Sequence, residues 1–169
     1  MVKATLLMLS LTAALGLAGC FTSDKPLVTD DTAVAPYAKI TFVPKASPDD
    51  KSTFVRDGKS YVTRLEDGTV TMRFMALGDD LYLAESAGEQ EGQLLRLYAV
   101  VKLDPKKHLA MTYKSLAHDD DTGAGLTACR REDSDMVCIE DVNAYVALAK
   151  AAIASGAKPD TVYDVTLQP

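Results

Sequence analysis

The chain has 169 residues, with 24 acidic and 18 basic side chains and a formal net charge of −6. This acidic balance argues against nucleic-acid binding and against electrostatic attraction to anionic lipid, because both of those partners are negatively charged. The length is typical of one domain with a single core.

Residues 1–19 have the layout of a secretion signal. Lys3 gives a short positive start, and the uncharged stretch ATLLMLSLTAALGLAG follows it. This stretch is shorter than the roughly 20 residues that a helix needs to cross the hydrocarbon core, and residues 21–26 supply no positive flank. The sequence therefore predicts a signal peptide over residues 1–19 and disfavours a membrane-spanning anchor.

The end of this signal, Leu17–Cys20, reads LAGC and resembles the lipobox of bacterial lipoproteins. The resemblance implies cleavage before Cys20, a diacylglyceryl group on its thiol and fatty-acyl chains such as palmitate in the membrane. Several acyl chains anchor a protein firmly, since each buried methylene contributes about 0.8 kcal/mol. The alternative is an ordinary cleaved signal with an incidental cysteine.

The residue that follows the lipidated cysteine indicates in which membrane a lipoprotein is retained. In the sorting rule associated with lipoproteins of Gram-negative bacteria, an aspartate there favours retention in the inner membrane, and this chain has Phe21. The resemblance thus implies the cell envelope, with the periplasmic face of the outer membrane favoured over the inner membrane. In a bacterium with one membrane the rule does not apply.

Residues 20–36 are predicted to be the lipid anchor and a tether. The segment FTSDKPLVTDDTAVAP has acids, hydroxyls and two prolines but no sustained periodicity. Such a composition is typical of a flexible linker.

From Tyr37 onward the apolar residues alternate with polar ones. The pattern is seen in YAKITFV, in GTVTMRFMAL and in QLLRLYAVVKLD, and it predicts strands with one buried face. Asp57-Gly58, Asp67-Gly68 and Gly78-Asp79-Asp80 are typical hairpin connections. The strands from about residue 51 to 103 are therefore expected to form an antiparallel meander.

Two cysteines remain if Cys20 is lipidated, and they lie in LTACRREDSDMVCIE. A hairpin whose turn is centred on Asp133-Ser134 places Cys129 directly opposite Cys138, within reach of a disulfide. Closing a loop of this length stabilises a fold by roughly 2.5 to 3 kcal/mol in the chain-entropy view. The alternative, a redox-active pair, lacks a Cys-x-x-Cys motif at a helix N-terminus.

A helix is predicted at about residues 141–155, because the apolar residues of DVNAYVALAKAAIASG follow three- and four-residue steps. Asp141 is the expected N-cap and Gly156 the expected stop. A last strand, TVYDVTLQ, follows. Residues 37–169 are thus predicted to form a single, mainly β domain: an antiparallel meander that closes into a small barrel or sandwich of about eight to ten strands, with one C-terminal helix.

The candidates for chemistry are weak. His118 and Asp119–Asp121 offer oxygen and nitrogen ligands, but their register is not that of an EF-hand. His108 is expected at an exposed turn, so no metal site is predicted. Ser155 and Lys158 match Ser-x-x-Lys, yet they fall where the helix should end and the companion motifs of serine acylases are missing.

The acidic pairs are Asp30-Asp31, Asp49-Asp50 and Asp79-Asp80, and all three fall in the predicted tether or turns. The sequence therefore predicts no catalytic residues, no cofactor and no enzyme. The favoured hypothesis is a lipid-anchored accessory protein of the envelope that binds a protein partner without catalysis. The alternative is a carrier of a lipid or another small apolar ligand inside the barrel. Lipocalins, which also form small barrels, have a Gly-x-Trp motif near the start of the chain. This sequence contains no tryptophan, so it does not match that family.

Overall fold

The computed structural model describes residues 21–65, 68–90, 92–113, 126–128 and 137–169. Within them lie twelve strands and one helix, α1, at Val142–Ala154. The strands are β1 (Phe21–Thr22), β2 (Ala33–Val34), β3 (Lys39–Pro44), β4 (Ser52–Asp57), β5 (Ser60–Leu65), β6 (Gly68–Gly78), β7 (Leu81–Gln90), β8 (Gln93–Asp104), β9 (Leu109–Tyr113), β10 (Leu126–Ala128), β11 (Val137–Ile139) and β12 (Thr161–Gln168).

Eight of these strands form a closed antiparallel barrel. The strands from β3 to β9 pair in sequence order, and β12 closes the barrel by pairing with β9 on one side and β3 on the other. The predicted meander and the mainly β fold with one C-terminal helix are confirmed. Of the two predicted architectures, the barrel is the one that forms.

The turns follow the backbone preferences of their residues. Asp79 and Asp80 form the two-residue connection between β6 and β7, and both have a positive φ, of 52° and 59°. Aspartate tolerates this left-handed conformation better than most residues. Between β4 and β5, the connecting residues are Gly58 and Lys59, because Asp57 still pairs with Ser60.

The remaining strands add to the outside of this barrel. Along one edge of β8, β9 pairs with its C-terminal half, while β1 pairs with its N-terminal half at Leu97. There β1 is followed by β11, which is parallel to it, and by β10. The short strand β2 pairs with β6 beyond the end of β5.

Two hydrophobic cores result. One fills the barrel, and its largest members include Phe42, Phe54, Tyr61, Phe74 and Tyr163. The other covers the outer face of β7, β8 and β9 beneath α1 and the N-terminal residues; its buried members are Phe21, Val28, Ala33, Leu81, Leu83, Tyr98, Val100, Tyr113, Ile139, Tyr145 and Ala149.

The helix is bounded as the sequence predicts. The Asp141 side chain accepts hydrogen bonds from the backbone N–H groups of Asn143 and Ala144, at 2.9 and 3.1 Å. Gly156 has a φ of 93° and ends the helix. This pairing of an acidic N-cap with a left-handed glycine after the last turn satisfies the free backbone groups at both ends.

The segment that composition predicts to be a tether is packed against the barrel. We call residues 21–34 the strap. Phe21 is 1% exposed and Val28 is fully buried. A flexible linker would leave both side chains in water, so the strap is part of the folded body.

Candidate functional site

The barrel interior is densely filled with aromatic rings. The ring of Phe42 makes edge contacts with Phe54 and Tyr163, at centroid distances of 6.2 and 5.7 Å. Phe74 packs in the same way against Tyr61, at 5.7 Å. A barrel of eight strands is about the size that its own side chains can fill. The described interior is therefore a packed core.

The wall of the barrel has an opening between β4 and β5. The ladder between these strands covers three residue pairs and ends at Val55 opposite Val62. Residues 52–54 continue along β3, and residues 63–65 continue along β6. The two strands therefore diverge where each of them is still held by its other neighbour.

This divergence leaves backbone groups directed into the opening. In an antiparallel sheet, alternate residues turn their N–H and C=O to opposite neighbours. Arg56 donates its N–H to the Ala38 carbonyl oxygen, at 2.9 Å, so the odd-numbered residues of β4 turn toward β5. The same alternation applies two residues beyond Val55 and Val62. It directs the backbone N–H and C=O groups of Thr53 and of Arg64 into the opening.

A cavity of about 790 Å³ lies at this opening. Its lining mixes apolar, hydroxyl and charged side chains: Lys51, Ser52, Thr53, Val55, Arg56, Asp57, Val62, Thr63, Arg64 and Leu65. Three of these residues are basic and one is acidic, although the whole chain has a net charge of −6. The opening is thus a locally basic site on an acidic protein, and its electrostatic preference is for an anionic group.

A second cluster of polar groups lies on the outer face of β7 and β8, beneath the strap. Glu85 is 4% exposed, and the Tyr98 hydroxyl donates a hydrogen bond of 2.6 Å to its Oε2 atom. The same hydroxyl accepts the Leu27 N–H at 3.1 Å, and Val28 donates its N–H to Glu85 Oε2 at 3.4 Å. Burial and the hydrogen bond to Glu85 raise the pKa of Tyr98 far above its usual range.

Arg73 extends this cluster toward solvent. It stands opposite Glu85 in the pairing of β6 with β7, and its NH1 atom lies 3.1 Å from Asp30 Oδ1. Its Nε atom donates to Ser60 Oγ at 3.0 Å. Every one of these side chains contacts the strap or a neighbouring strand, so the cluster holds the strap in place.

Sequence reasoning missed both the opening and the role of Glu85. One signal for the strap was present in LYLAES, where Leu81 and Leu83 precede Glu85 on the outward face of β7. Apolar residues on both faces of a strand indicate that both faces are covered. The opening had no such signal, because a divergence of two strands depends on their neighbours.

The predicted cysteine sites are only partly described. Cys20 and Cys129 lie outside the described residues, so lipidation and the bridge stay predictions. Cys138 lies in β11, where Thr127 of β10 stands opposite it. The register of the hairpin is therefore two residues away from the predicted one, which placed Cys129 opposite Cys138.

The other predicted candidates are not brought together in a site. His108 lies in the turn after β8, where its carbonyl oxygen accepts the Val165 N–H at 2.8 Å. Ser155 Oγ donates to the Ala152 carbonyl oxygen at 2.8 Å, as a helix-terminating side chain does. His118 and Asp119–Asp121 lie outside the described residues.

Three further observations limit what can be said about this site. Within the described part of the chain, no group of three or more His, Cys, Asp or Glu side chains is placed to hold a metal ion. No helix in the same residues is long and apolar enough to cross a membrane. Comparison with known proteins finds no matching family model, no similar curated protein and no similar solved structure.

Proposed function

We propose that this chain is a lipid-anchored protein of the bacterial cell envelope that binds a protein partner at the opening between β4 and β5. The anchor is the lipid on Cys20, with the periplasmic face of the outer membrane as the favoured location. The observation that carries the binding role is the divergence of β4 and β5. It leaves two strand edges beside a cavity of about 790 Å³.

An extended peptide fits this geometry. A segment of a partner can add its backbone hydrogen bonds to a free strand edge, while side-chain pockets give specificity. At Thr53 and Arg64 such a segment would find backbone donors and acceptors on both sides. Lys51, Arg56 and Arg64 favour an acidic segment, because opposite charges steer encounter and fix register.

A second candidate function, a carrier of a small apolar or amphipathic ligand, is favoured by the size of the cavity. Ligand sites in proteins span about 300 to 1,000 Å³, and Val55, Val62 and Leu65 provide apolar surface here. In this version the ligand occupies the wall opening, since the described barrel interior is packed with side chains.

Native mass spectrometry of the protein purified from its own membrane separates the two candidates. The key variant is Lys51→Glu with Arg64→Glu, which reverses two exposed cations at the opening. The matched control, Lys106→Glu with Lys158→Glu, makes the same change of charge at exposed positions elsewhere.

A retained protein partner that survives in the control but is lost in the key variant supports protein binding. A retained adduct of small mass with the same dependence supports the carrier. If neither species accompanies the wild-type protein, or if the key variant and the control behave alike, the opening is not the binding site.

The proposal also includes a disulfide between Cys129 and Cys138. Cys138 has the character of a disulfide-bonded cysteine, and this supports the bridge. Lipidation of Cys20 would leave Cys129 as the remaining partner. Alkylation of the unreduced protein followed by mass measurement tests the bridge, and two free thiols would contradict it.

A further inference from the structure

The opening between β4 and β5 has one residue on each edge whose backbone is directed into it. Residues 52–54 of β4 are held by β3, and residues 63–65 of β5 are held by β6. Within each stretch the outer two residues turn their backbone to that neighbour, so the middle residue, Thr53 or Arg64, turns its own into the opening. The two edges together offer two N–H donors and two C=O acceptors.

An extended segment of three residues can bond all four of these groups. Because β4 and β5 are antiparallel, a strand between them is antiparallel to one and parallel to the other. On the antiparallel side, its middle residue exchanges both of its hydrogen bonds with the residue opposite. On the parallel side, the two flanking residues bond the N–H and the C=O of the other edge. The same four bonds form whichever way the segment runs.

The positions of its side chains follow from the barrel. Phe54 belongs to the inner core and Leu65 packs against it, so the residues before them, Thr53 and Arg64, are on the outward face. Side chains at one level of a sheet point to the same face. The middle residue of the segment therefore points outward, and its two flanking residues point toward the inner core.

The outward position favours a carboxylate. It lies beside Arg64 and near Lys51, and both of these exposed cations line the cavity. Asp57, the acid of the same lining, stands opposite Ser60, four residues along β4 from Thr53. At about 3.4 Å per residue, Asp57 is roughly 14 Å away and repels a carboxylate at Thr53 only weakly.

The two inward positions favour small apolar side chains. One is level with Ser52 and Leu65, and the other is level with Phe54 and Thr63. The apolar surface of Leu65 and Phe54 favours an apolar side chain, and a charged one would lose its water there. Since the inner core is already packed, the side chain must also be small, as in alanine or valine.

We propose that the opening recognises an extended segment of a protein partner with the pattern small apolar, acidic, small apolar, and that its acidic residue lies between Thr53 and Arg64. The inference rests on the proposed function, and it adds the chemistry of the partner to the site. Backbone pairing provides the binding, the two cations select the middle residue, and the inner core selects the flanking ones.

Binding of synthetic peptides tests the pattern. The probe is a fluorescent, capped peptide with Val-Glu-Val between serines, and its Kd for the full chain purified in detergent is measured by anisotropy. Val-Gln-Val, which keeps the shape and loses the charge, should bind about tenfold more weakly. Asn-Glu-Asn, with polar flanks, should also bind more weakly. N-methylation of the glutamate should abolish binding, because its N–H is bonded in either orientation.

A charge exchange tests the placement of the acidic residue. With Arg64→Glu, the preference should reverse, so that Val-Lys-Val binds more tightly than Val-Glu-Val. The matched control, Lys106→Glu, changes the charge of an exposed residue elsewhere and should keep the preference for glutamate. Circular dichroism of both variants checks the fold, and the reversal itself requires a folded site.

Native mass spectrometry separates the failure of this inference from that of the proposed function. If a protein partner is retained through Lys51 and Arg64, but the Glu and Gln peptides bind alike or N-methylation has no effect, the function stands and the pattern is overturned. If no partner is retained and none of the peptides binds, both are overturned.

Discussion

The two cores of this barrel bury their side chains to a similar extent but differ in what they contain. The inner core is formed by strands alone, and each strand backbone is paired with its neighbours except where β4 and β5 diverge. The outer core is closed partly by the strap, which has no continuous ladder between β1 and β2 and is buried there at Val28. Buried backbone groups need partners, and Glu85 and Tyr98 supply them. A loop that covers a sheet therefore needs polar side chains as hydrogen-bond partners for its buried backbone. A strand that covers a sheet needs fewer, because its backbone pairs with neighbouring strands.

Removing a ring from the inner core should give the largest effect. Phe74 is 1% exposed and contacts the rings of Tyr61 and Tyr82. Because Phe74→Ala leaves a cavity among packed side chains, it should lower the free energy of unfolding by about 3 to 5 kcal/mol, measured by urea denaturation. Phe74→Leu is the control and should lose less. A loss below 1 kcal/mol would show that the interior is not densely packed.

The outer core should respond more locally. Tyr98→Phe removes the hydroxyl that joins Glu85 to Leu27, so it should cost about 1 to 3 kcal/mol. Hydrogen exchange should accelerate more in the strap than in β3 to β9. Tyr145→Phe is the matched control, since its buried hydroxyl has no hydrogen-bond partner among the described residues. Equal losses from both variants would contradict the role given to the Tyr98 hydroxyl.

Alkaline pH should weaken both cores through their tyrosines. Burial raises the pKa of Tyr163 in the inner core from 10.0 to about 12. The unfolded chain then loses this proton first, so the stabilisation is complete below pH 10 and declines as the pH rises through 10 to 12. Each unit of difference corresponds to about 1.4 kcal/mol.

The measurement for this prediction is the free energy of unfolding at several pH values, for the wild type and for Tyr163→Phe. The variant should show a shallower decline above pH 10, because it lacks one of the titrating groups. Identical slopes would mean that Tyr163 does not contribute to the pH dependence.

The smallest effect is expected at the helix that covers the outer core. Asp141→Ala removes the N-cap of α1 and should lower stability by about 1 kcal/mol. Asp141→Asn, which keeps a capping oxygen, should restore most of it. The change should appear in thermal unfolding without altering the packing of the inner core, and a larger loss would mean that the two cores unfold as one unit.

The sequence by itself determined the mainly β fold, the order of the hairpins and the limits of the helix. These features depend on local rules: alternating apolar residues in GTVTMRFMAL, a turn at Asp79-Asp80, and the caps at Asp141 and Gly156. The period of the side chains and the φ of single residues are properties of short segments, so they can be predicted without knowing the rest of the chain.

The strap, the hairpin register and the opening were decided by the tertiary structure. The polar composition of FTSDKPLVTDD predicts a linker, yet Phe21 and Val28 are buried because β7 and β8 offer them an apolar outer face. The pairing of Thr127 with Cys138 depends on where β1 and β8 hold β11. The opening exists because β3 and β6 each hold one of two diverging strands, and contacts between segments far apart in the chain are not encoded in any one of them.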